Sequence, residues 1–123
     1  VPLILSWLQE PDFLRLSKFA ADLGLDVLVD THTAVEIHIA NAAGSRLVGI
    51  NTRDLQTFKT DLRLFETMSH LLTDQTIKVA ESSVKKPQDV ARYWNAGANV
   101  VLVGQALVTG DPSLLIPEFI NAT

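Results

Sequence analysis

A group of polar residues in the middle of the chain follows a short apolar run and has side chains suited to binding a small polar molecule. Residues 47–50 (LVGI) predict a buried strand, and Asn51, Thr52, Arg53 and Asp54 come directly after it. The Asn51 amide can hydrogen-bond a hydroxyl or a carboxylate, and the Arg53 guanidinium either binds an anion or braces its loop. The alternative is that these four residues form a solvated loop without a ligand.

Three further apolar runs end in polar residues of the same kind. They are followed by Asp30-Thr31-His32, Glu81-Ser82-Ser83 and Gly104-Gln105. If the strands are parallel, their carboxyl ends meet at one edge of the sheet, and these side chains share one mouth. Asp30 and Glu81 are then a candidate acid–base pair, although two carboxylates on neighbouring strands also occur without catalysis.

The last two of these loops have the position at which barrel enzymes often bind phosphate. Backbone amides at the N-terminus of a short helix point to the anion there. Ser82, Ser83, Gly104 and Gln105 occupy those loops and are therefore the candidate phosphate-binding residues.

The elements that position these residues alternate along the chain five times. The predicted strands share an apolar run and are residues 2–7, 25–30, 47–50, 76–80 and 99–103. Each precedes a segment with helical periodicity, and the predicted boundary signals are Gly24, Thr33 with Glu36, Pro87, Gly97 and Asp111. On the first helix, Leu14, Leu16 and Phe19 are predicted core residues. Trp7, at the end of the first strand, is expected to cover a part of the core that is left open, and the alternative is that it covers an aromatic ring of a ligand.

Repeated strand–helix units predict an α/β fold with parallel strands, either as part of a closed barrel or as an open sheet. Strand starts lie about 22 to 30 residues apart, as in repeated βα units. No glycine-rich dinucleotide motif follows the first strand, so the open-sheet alternative has no cofactor motif in its favour. We therefore expect a partial (β/α)8 TIM barrel of about five units, in one domain over residues 1–123.

Composition and charge limit the classes of function. The 123 residues include ten basic and fourteen acidic side chains, and the net charge of −4 gives no general reason to bind nucleic acid or a membrane surface. The absence of cysteine excludes disulfides and thiolate chemistry and fits a cytoplasmic location, as does the lack of a signal-peptide pattern. His32, His38 and His70 form no close helical pair, so we expect no metal.

Several motifs in a fixed order point to a known family. The most specific is GINTRDL at 49–55 with Phe58, followed by Glu81-Ser82 and then by Val103-Gly104 before a helix that begins with Asp-Pro. This ordered set resembles the C-terminal part of the indole-3-glycerol-phosphate synthase family over nearly the whole chain. The resemblance implies that the five strands are the fourth to eighth of a (β/α)8 barrel and that the first three are missing.

The resemblance also implies an activity. The family closes an indole ring on a carboxyphenylamino-deoxyribulose phosphate in tryptophan biosynthesis, with loss of carbon dioxide and water and with no cofactor or metal. Its catalytic lysines lie on the first and third strands, and none of Lys18, Lys59, Lys78, Lys85 and Lys86 matches them. The chain alone is therefore expected to be inactive.

The resemblance assigns roles to the residues at the strand ends. The catalytic residues are Asp30, Asn51 and Glu81, the substrate-binding residues are Asn51, Arg53, Glu81 and Ser82, and the phosphate-binding residues are Ser83, Gly104 and Gln105. Three positions depart from the family pattern, and one of them is Gln105, which replaces a residue that is often small or acidic. Asp30 stands where a glutamate is usual and is one methylene shorter, and Ser83 stands where a glycine lets the backbone approach the phosphate.

The expected partners follow from the same comparison. They are a sugar-phosphate substrate and either an N-terminal half-barrel or a second copy of the chain, since open strand edges favour pairing. The alternative functions are a half-barrel that binds a phosphorylated ligand without turnover and a non-enzymatic subunit. Among enzymes the second choice is phosphoribosylanthranilate isomerase, which the Asn-x-Arg-Asp-Leu run disfavours.

Overall fold

A computed structural model describes residues 1–123 and has one sheet of five parallel strands in chain order. The strands are β1 (Pro2–Ile4), β2 (Leu28–Thr31), β3 (Leu47–Asn51), β4 (Ile77–Glu81) and β5 (Val100–Leu102). The register places Asp30 beside Gly49 and Asn51 beside Glu81, so the polar strand ends are neighbours. The predicted α/β fold with parallel strands is confirmed.

Six α-helices connect or follow the strands. They are α1 (Glu10–Asp22), α2 (Ala34–Ala42), α3 (Arg63–Met68), α4 (Pro87–Asn95), α5 (Gln105–Thr109) and α6 (Pro112–Ile120). The predicted caps are present, because the Thr33 hydroxyl accepts from the Glu36 amide and the Asp111 carboxylate accepts from the Ser113 amide. Gly24 ends α1 with φ at 72°, a left-handed conformation that glycine adopts without strain. None of these helices combines the length and the apolar character needed to cross a bilayer.

The structure corrects several predicted boundaries. The first strand ends at Ile4 rather than at residue 7, because the chain turns into a 3-10 helix (Leu5–Trp7). The second strand begins at Leu28 rather than at residue 25, since the Leu25 amide donates to the Ala20 carbonyl and still belongs to the end of α1. The helix after β3, α3, has only six residues and continues as a 3-10 turn (Ser69–Leu71), and the sequence did not predict α5.

The hydrophobic core is one cluster of sixteen buried residues between the sheet and the helices. The largest side chains that are fully buried are Tyr93, Phe13, Phe65 and Ile37. Phe65 and Tyr93 pack edge to face, with ring centroids 5.2 Å apart, which joins α3 to α4 beneath the sheet.

Three core predictions were wrong. Phe19 is 61% exposed and Leu14 is 47% exposed, because α1 turns the stripe that contains Phe13 and Ala20 toward the sheet. Trp7 is 68% exposed and covers no core, since the 3-10 turn carries it away from the strand. These apolar side chains are therefore on the surface of the chain.

Phe13→Ala is expected to lower the free energy of unfolding by about 3–5 kcal/mol, because it removes a fully buried ring and leaves a cavity. Phe19→Ala on the same helix is the matched control and is expected to change that free energy by less than about 0.5 kcal/mol. Urea unfolding followed by circular dichroism measures both. Equal losses would show that α1 does not pack on the sheet through Phe13.

Candidate active site

The loop after β3, the end of β4 with its following turn, and the loop after β5 surround one open cleft of about 1000 Å³. Its lining includes the predicted residues Arg53, Glu81, Ser82, Ser83, Gly104 and Gln105. Asp30 and Asn51 do not line the cleft, but lie buried beside Glu81. The structure thus brings all eight predicted site residues to one region, in which a buried polar cluster lies next to the open cleft.

Asn51 belongs to that buried cluster rather than to a solvated loop. It is only 8% exposed, and its amide nitrogen donates to Asp30 Oδ2 at 3.1 Å. Its carbonyl oxygen accepts from the Arg53 amide at 3.0 Å and from the Ser82 hydroxyl at 2.9 Å. Asn51 therefore connects the ends of three strands, and the solvated-loop alternative is wrong for this residue.

Asp30 and Glu81 form a buried pair of carboxyl groups. Burial, and after it the neighbouring negative charge of Asp30, together raise the pKa of Glu81 to about 8. Burial also raises the pKa of Asp30, although the Asn51 amide and the nearby His32 oppose this change. Two ionised carboxylates in contact would repel each other, so burial and this repulsion both favour a protonated Glu81.

The His32 ring lies on the other side of Asp30. His32 Nδ1 is 3.2 Å from Asp30 Oδ1 and 3.2 Å from the Ser6 hydroxyl. Ser6 also donates to Glu36 Oε1 at 2.8 Å, and the Glu36 carboxylate accepts from the His32 amide. This network holds His32 against Asp30 and connects the 3-10 turn after β1 to the start of α2.

A cluster of hydroxyl groups supports the turn after β4. Thr52 Oγ1 donates to the Glu81 carbonyl at 2.9 Å and lies 2.5 Å from the Ser83 hydroxyl and 2.8 Å from the Tyr93 hydroxyl. Tyr93 donates to the Ser82 carbonyl at 3.1 Å. Ser82 and Ser83 have φ of 71° and 66°, left-handed values that cost energy for residues other than glycine. The cluster offsets that cost, and it turns the Ser83 hydroxyl toward Thr52.

Tyr93→Phe is expected to lower the free energy of unfolding by about 1–3 kcal/mol, because the Ser82 carbonyl and the Thr52 hydroxyl lose a buried partner while the ring still packs on Phe65. Trp94→Phe changes an exposed neighbour on the same helix and is expected to be nearly neutral. Thermal unfolding of both variants tests this, and a neutral Tyr93→Phe would mean that the hydroxyl does not support the turn.

Arg53 braces the loops at the mouth of the cleft. Its guanidinium donates to Gln105 Oε1 at 3.0 Å and to the Phe58 carbonyl at 3.2 Å. Between Arg53 and Phe58 the chain forms a tight turn. The Asp54 carboxylate stabilises this turn, because it accepts hydrogen bonds from the Gln56 and Thr57 amides at 2.8 Å. Of the two roles predicted for Arg53, the structure has the bracing role, and the guanidinium also lines the cleft.

Sequence reasoning missed Tyr93 and gave no role of their own to Thr52 and Lys85, which the structure also places at the site. Thr52 and Tyr93 form the hydroxyl cluster, and Lys85 lines the cleft although it matches no catalytic lysine of the family. Thr52 adjoined the predicted strand end, but its partner Tyr93 is forty-one residues away in the chain, and no local pattern indicates the pairing. No group of three or more His, Cys, Asp or Glu side chains is arranged to hold a metal ion.

Solved structures with a similar backbone are TIM-barrel enzymes. The 3-hexulose-6-phosphate synthase from Salmonella typhimurium superposes with a TM-score of 0.82 over 99% of this chain and 60% of that one, at 18% identity. The N-acetylmannosamine-6-phosphate 2-epimerase from Clostridium perfringens superposes with a TM-score of 0.66 over 90% of this chain and 49% of that one, also at 18% identity. These similarities establish the fold alone.

Sequence comparison identifies the family. The family model described as indole-3-glycerol phosphate synthase matches residues 1–118. The indole-3-glycerol phosphate synthase of Leifsonia xyli is 45% identical over 97% of this chain and 46% of its own length, and that of Parafrankia sp. is 39% identical over 99% and 46%. The chain thus spans about half the length of the curated relatives it matches. It belongs to the indole-3-glycerol phosphate synthase family.

Proposed function

We propose that this chain supplies the C-terminal half of an indole-3-glycerol phosphate synthase active site. In this proposal it binds the carboxyphenylamino-deoxyribulose phosphate and provides the carboxyl groups for proton transfer during ring closure. The proposal rests on the geometry of Asp30 and Glu81, two buried carboxyl groups in contact next to the open cleft. The reaction loses carbon dioxide and water, and such a sequence of steps needs a group that is protonated at neutral pH.

The charges around the cleft support the binding of a phosphate. Arg53, Lys85 and Glu81 are the ionisable residues of its lining. A pKa of about 8 keeps Glu81 mainly neutral at pH 7, so the two cations remain uncompensated within the lining. The cleft is therefore locally positive in a chain whose net charge is −4. Ser83, Gly104 and Gln105 are the residues proposed to contact the phosphate, with Ser82 beside them.

The remaining site residues have proposed roles in the same scheme. Glu81 donates its proton to the hydroxyl group that leaves the substrate as water and then takes up the proton that the substrate loses, while Asp30 acts on these transfers through its contact with Glu81. Asn51 holds Asp30 and, through its carbonyl oxygen, Ser82. The shorter side chain of Asp30 leaves it in contact with Glu81 rather than extended into the cleft, so we assign Glu81 the direct contact with substrate.

The catalytic lysines of the family are proposed to come from outside these 123 residues. In a closed barrel, β1 and β5 would each gain a second neighbour, and each has only one here. Apolar side chains are exposed on the edge strand β5, at Val100 and Leu102, and on and just after α1, at Phe19 and Leu23. We propose that residues 1–123 form one domain that an N-terminal half-barrel of three further strands completes. Self-association through the same edges is the alternative arrangement.

Gly104→Asp is expected to abolish binding of an anthranilate-derived sugar phosphate, because it places a negative charge where backbone must approach the anion. Gly24→Asp adds the same charge at the end of α1, at the opposite end of the strands, and is expected to leave the affinity unchanged. Isothermal titration calorimetry on the chain measures both. Equal affinities in the two variants would contradict the phosphate site, and saturable binding without turnover in any assembly would favour the binding-only alternative.

A further inference from the structure

Gly49 lies in the middle of β3, at the point where the Glu81 side chain crosses the strand. A Cβ atom built on Gly49 would lie 1.6 Å from Glu81 Oε1 and 2.7 Å from Glu81 Cδ. Both distances are far below van der Waals contact, so no other residue type fits at this position while the carboxyl group stays where it is.

Conformational freedom does not explain this glycine. Gly49 is in an ordinary strand and is not among the glycines with positive φ. Glycine in the interior of a strand weakens it, since it has no side chain to pack and loses the most entropy on folding. Three other glycines are explained by conformation and not by space, because each has positive φ and no atom within 4 Å of a built Cβ: Gly24, Gly44 and Gly97. The explanation at Gly49 is therefore space.

The strand register shows what that space holds. Gly49 is the neighbour of Asp30 on β2 and of Val79 on β4, two residues before Glu81. The Glu81 side chain starts on β4 and reaches Asp30 on β2, so it must pass over the intervening strand. The missing side chain of Gly49 leaves that passage open.

We propose that Gly49 is a positioning residue that holds the Glu81 carboxyl group against Asp30 across β3. The ionisable groups around this contact are Asp30 on β2, His32 after it, and Glu36 on α2. A side chain at position 49 displaces the Glu81 carboxyl toward the cleft and separates the pair. A role of Gly49 in the reaction rests on the proposed function. The position of the Glu81 carboxyl beside Asp30 does not depend on it.

Gly49→Ala is the direct test, read by carboxyl-carbon NMR titration of Glu81 in the full chain. The expected result is that the pKa of Glu81 falls from about 8 toward the ordinary value of 4.5. Gly24→Ala is the matched control, because it makes the same change in a left-handed position away from the site and is expected to leave that titration unchanged. A Gly49→Ala chain in which Glu81 titrates as before would overturn the proposal.

A second measurement needs no substitution and stands if Gly49→Ala does not fold. Glu81 Cγ lies 3.3 Å from the built Cβ position, so a nuclear Overhauser effect is expected between the Gly49 Hα protons and the Glu81 Hγ protons. Its absence in an assigned spectrum would overturn the placement. Neither measurement requires enzymatic activity. The position of the Glu81 carboxyl over Gly49 can therefore be disproved while the proposed function stands, and the proposed function can be disproved while this position stands.

In an active assembly with the missing half, the consequence for the reaction is measurable as well. Gly49→Ala is expected to lower kcat by about tenfold or more with little change in KM, and to have no further effect in a Glu81→Gln background. A loss of equal size in both backgrounds would show that Gly49 acts on activity by a route other than Glu81.

Discussion

Glu81→Gln is expected to make the protein more stable than the unchanged chain at about pH 8, and to have little effect at about pH 5. The pKa of Glu81 is about 8 in the fold, against 4.5 for an ordinary glutamate. Between these two values the native chain holds a proton that the unfolded chain has lost. The stabilisation is therefore complete below pH 4.5 and is lost as the pH rises through 8.

The size of this effect follows from the linkage between proton binding and folding. Each pH unit within that window lowers the free energy of unfolding by about 1.4 kcal/mol, which amounts to a few kcal/mol in total. Glutamine stays neutral throughout, and its amide can donate to the ionised Asp30 carboxylate.

Urea unfolding at about pH 5 and about pH 8 tests this prediction. Glu118→Gln changes an exposed glutamate of α6 and is the matched control. It is expected to leave the free energy of unfolding unchanged at both pH values. A Glu81→Gln chain that is less stable at both values would mean that the carboxyl is ionised in the fold and has favourable partners there.

The same substitution is expected to remove most of the activity in an assembly that contains the missing half of the barrel. A glutamine amide cannot give up or take a proton in the reaction, and positioned acid–base groups contribute about 100-fold to 10,000-fold to such rates. We expect kcat to fall within that range, with a smaller change in KM. Fluorescence of the indole product measures the rate, and Glu118→Gln is expected to retain it.

A gain in stability together with a loss of activity would separate a functional carboxyl pair from a structural one. Two buried carboxyl groups in contact destabilise the fold near pH 8, and active sites commonly retain such costs. If Glu81→Gln instead leaves kcat unchanged, the pair has no part in proton transfer and the assignment of Glu81 is wrong.

Local chemistry explains which parts of the fold were predictable. The apolar run before Asn51, the Thr33 cap and the Asp111 cap are each encoded within a few neighbouring residues, and all were predicted correctly. Phe19 was assigned to the core because helical periodicity identifies apolar positions but not which of them meet the sheet. Its exposure on α1 depends on the packing partner, which the sequence pattern does not contain.

The sequence predicts which residues lie at the strand ends that form the site. It does not predict the contacts that hold their side chains in place. The positions of Asp30, Asn51 and Glu81 follow from strand endings and family motifs. The Tyr93 hydroxyl reaches Thr52 across forty-one residues, and Gly49 owes its place to a side chain on the next strand. Such contacts depend on strand register, so they become visible only when the strands are paired.

The most direct test of the central claim is the rate of indole-glycerol phosphate formation by this chain mixed with the part of the Leifsonia xyli synthase that it does not match. We expect product in the mixture and none from either part alone, because the lysines and the Asp30–Glu81 pair are then on different chains. No product from a mixture in which the two parts demonstrably associate would contradict the claim that this chain supplies a competent half of the active site.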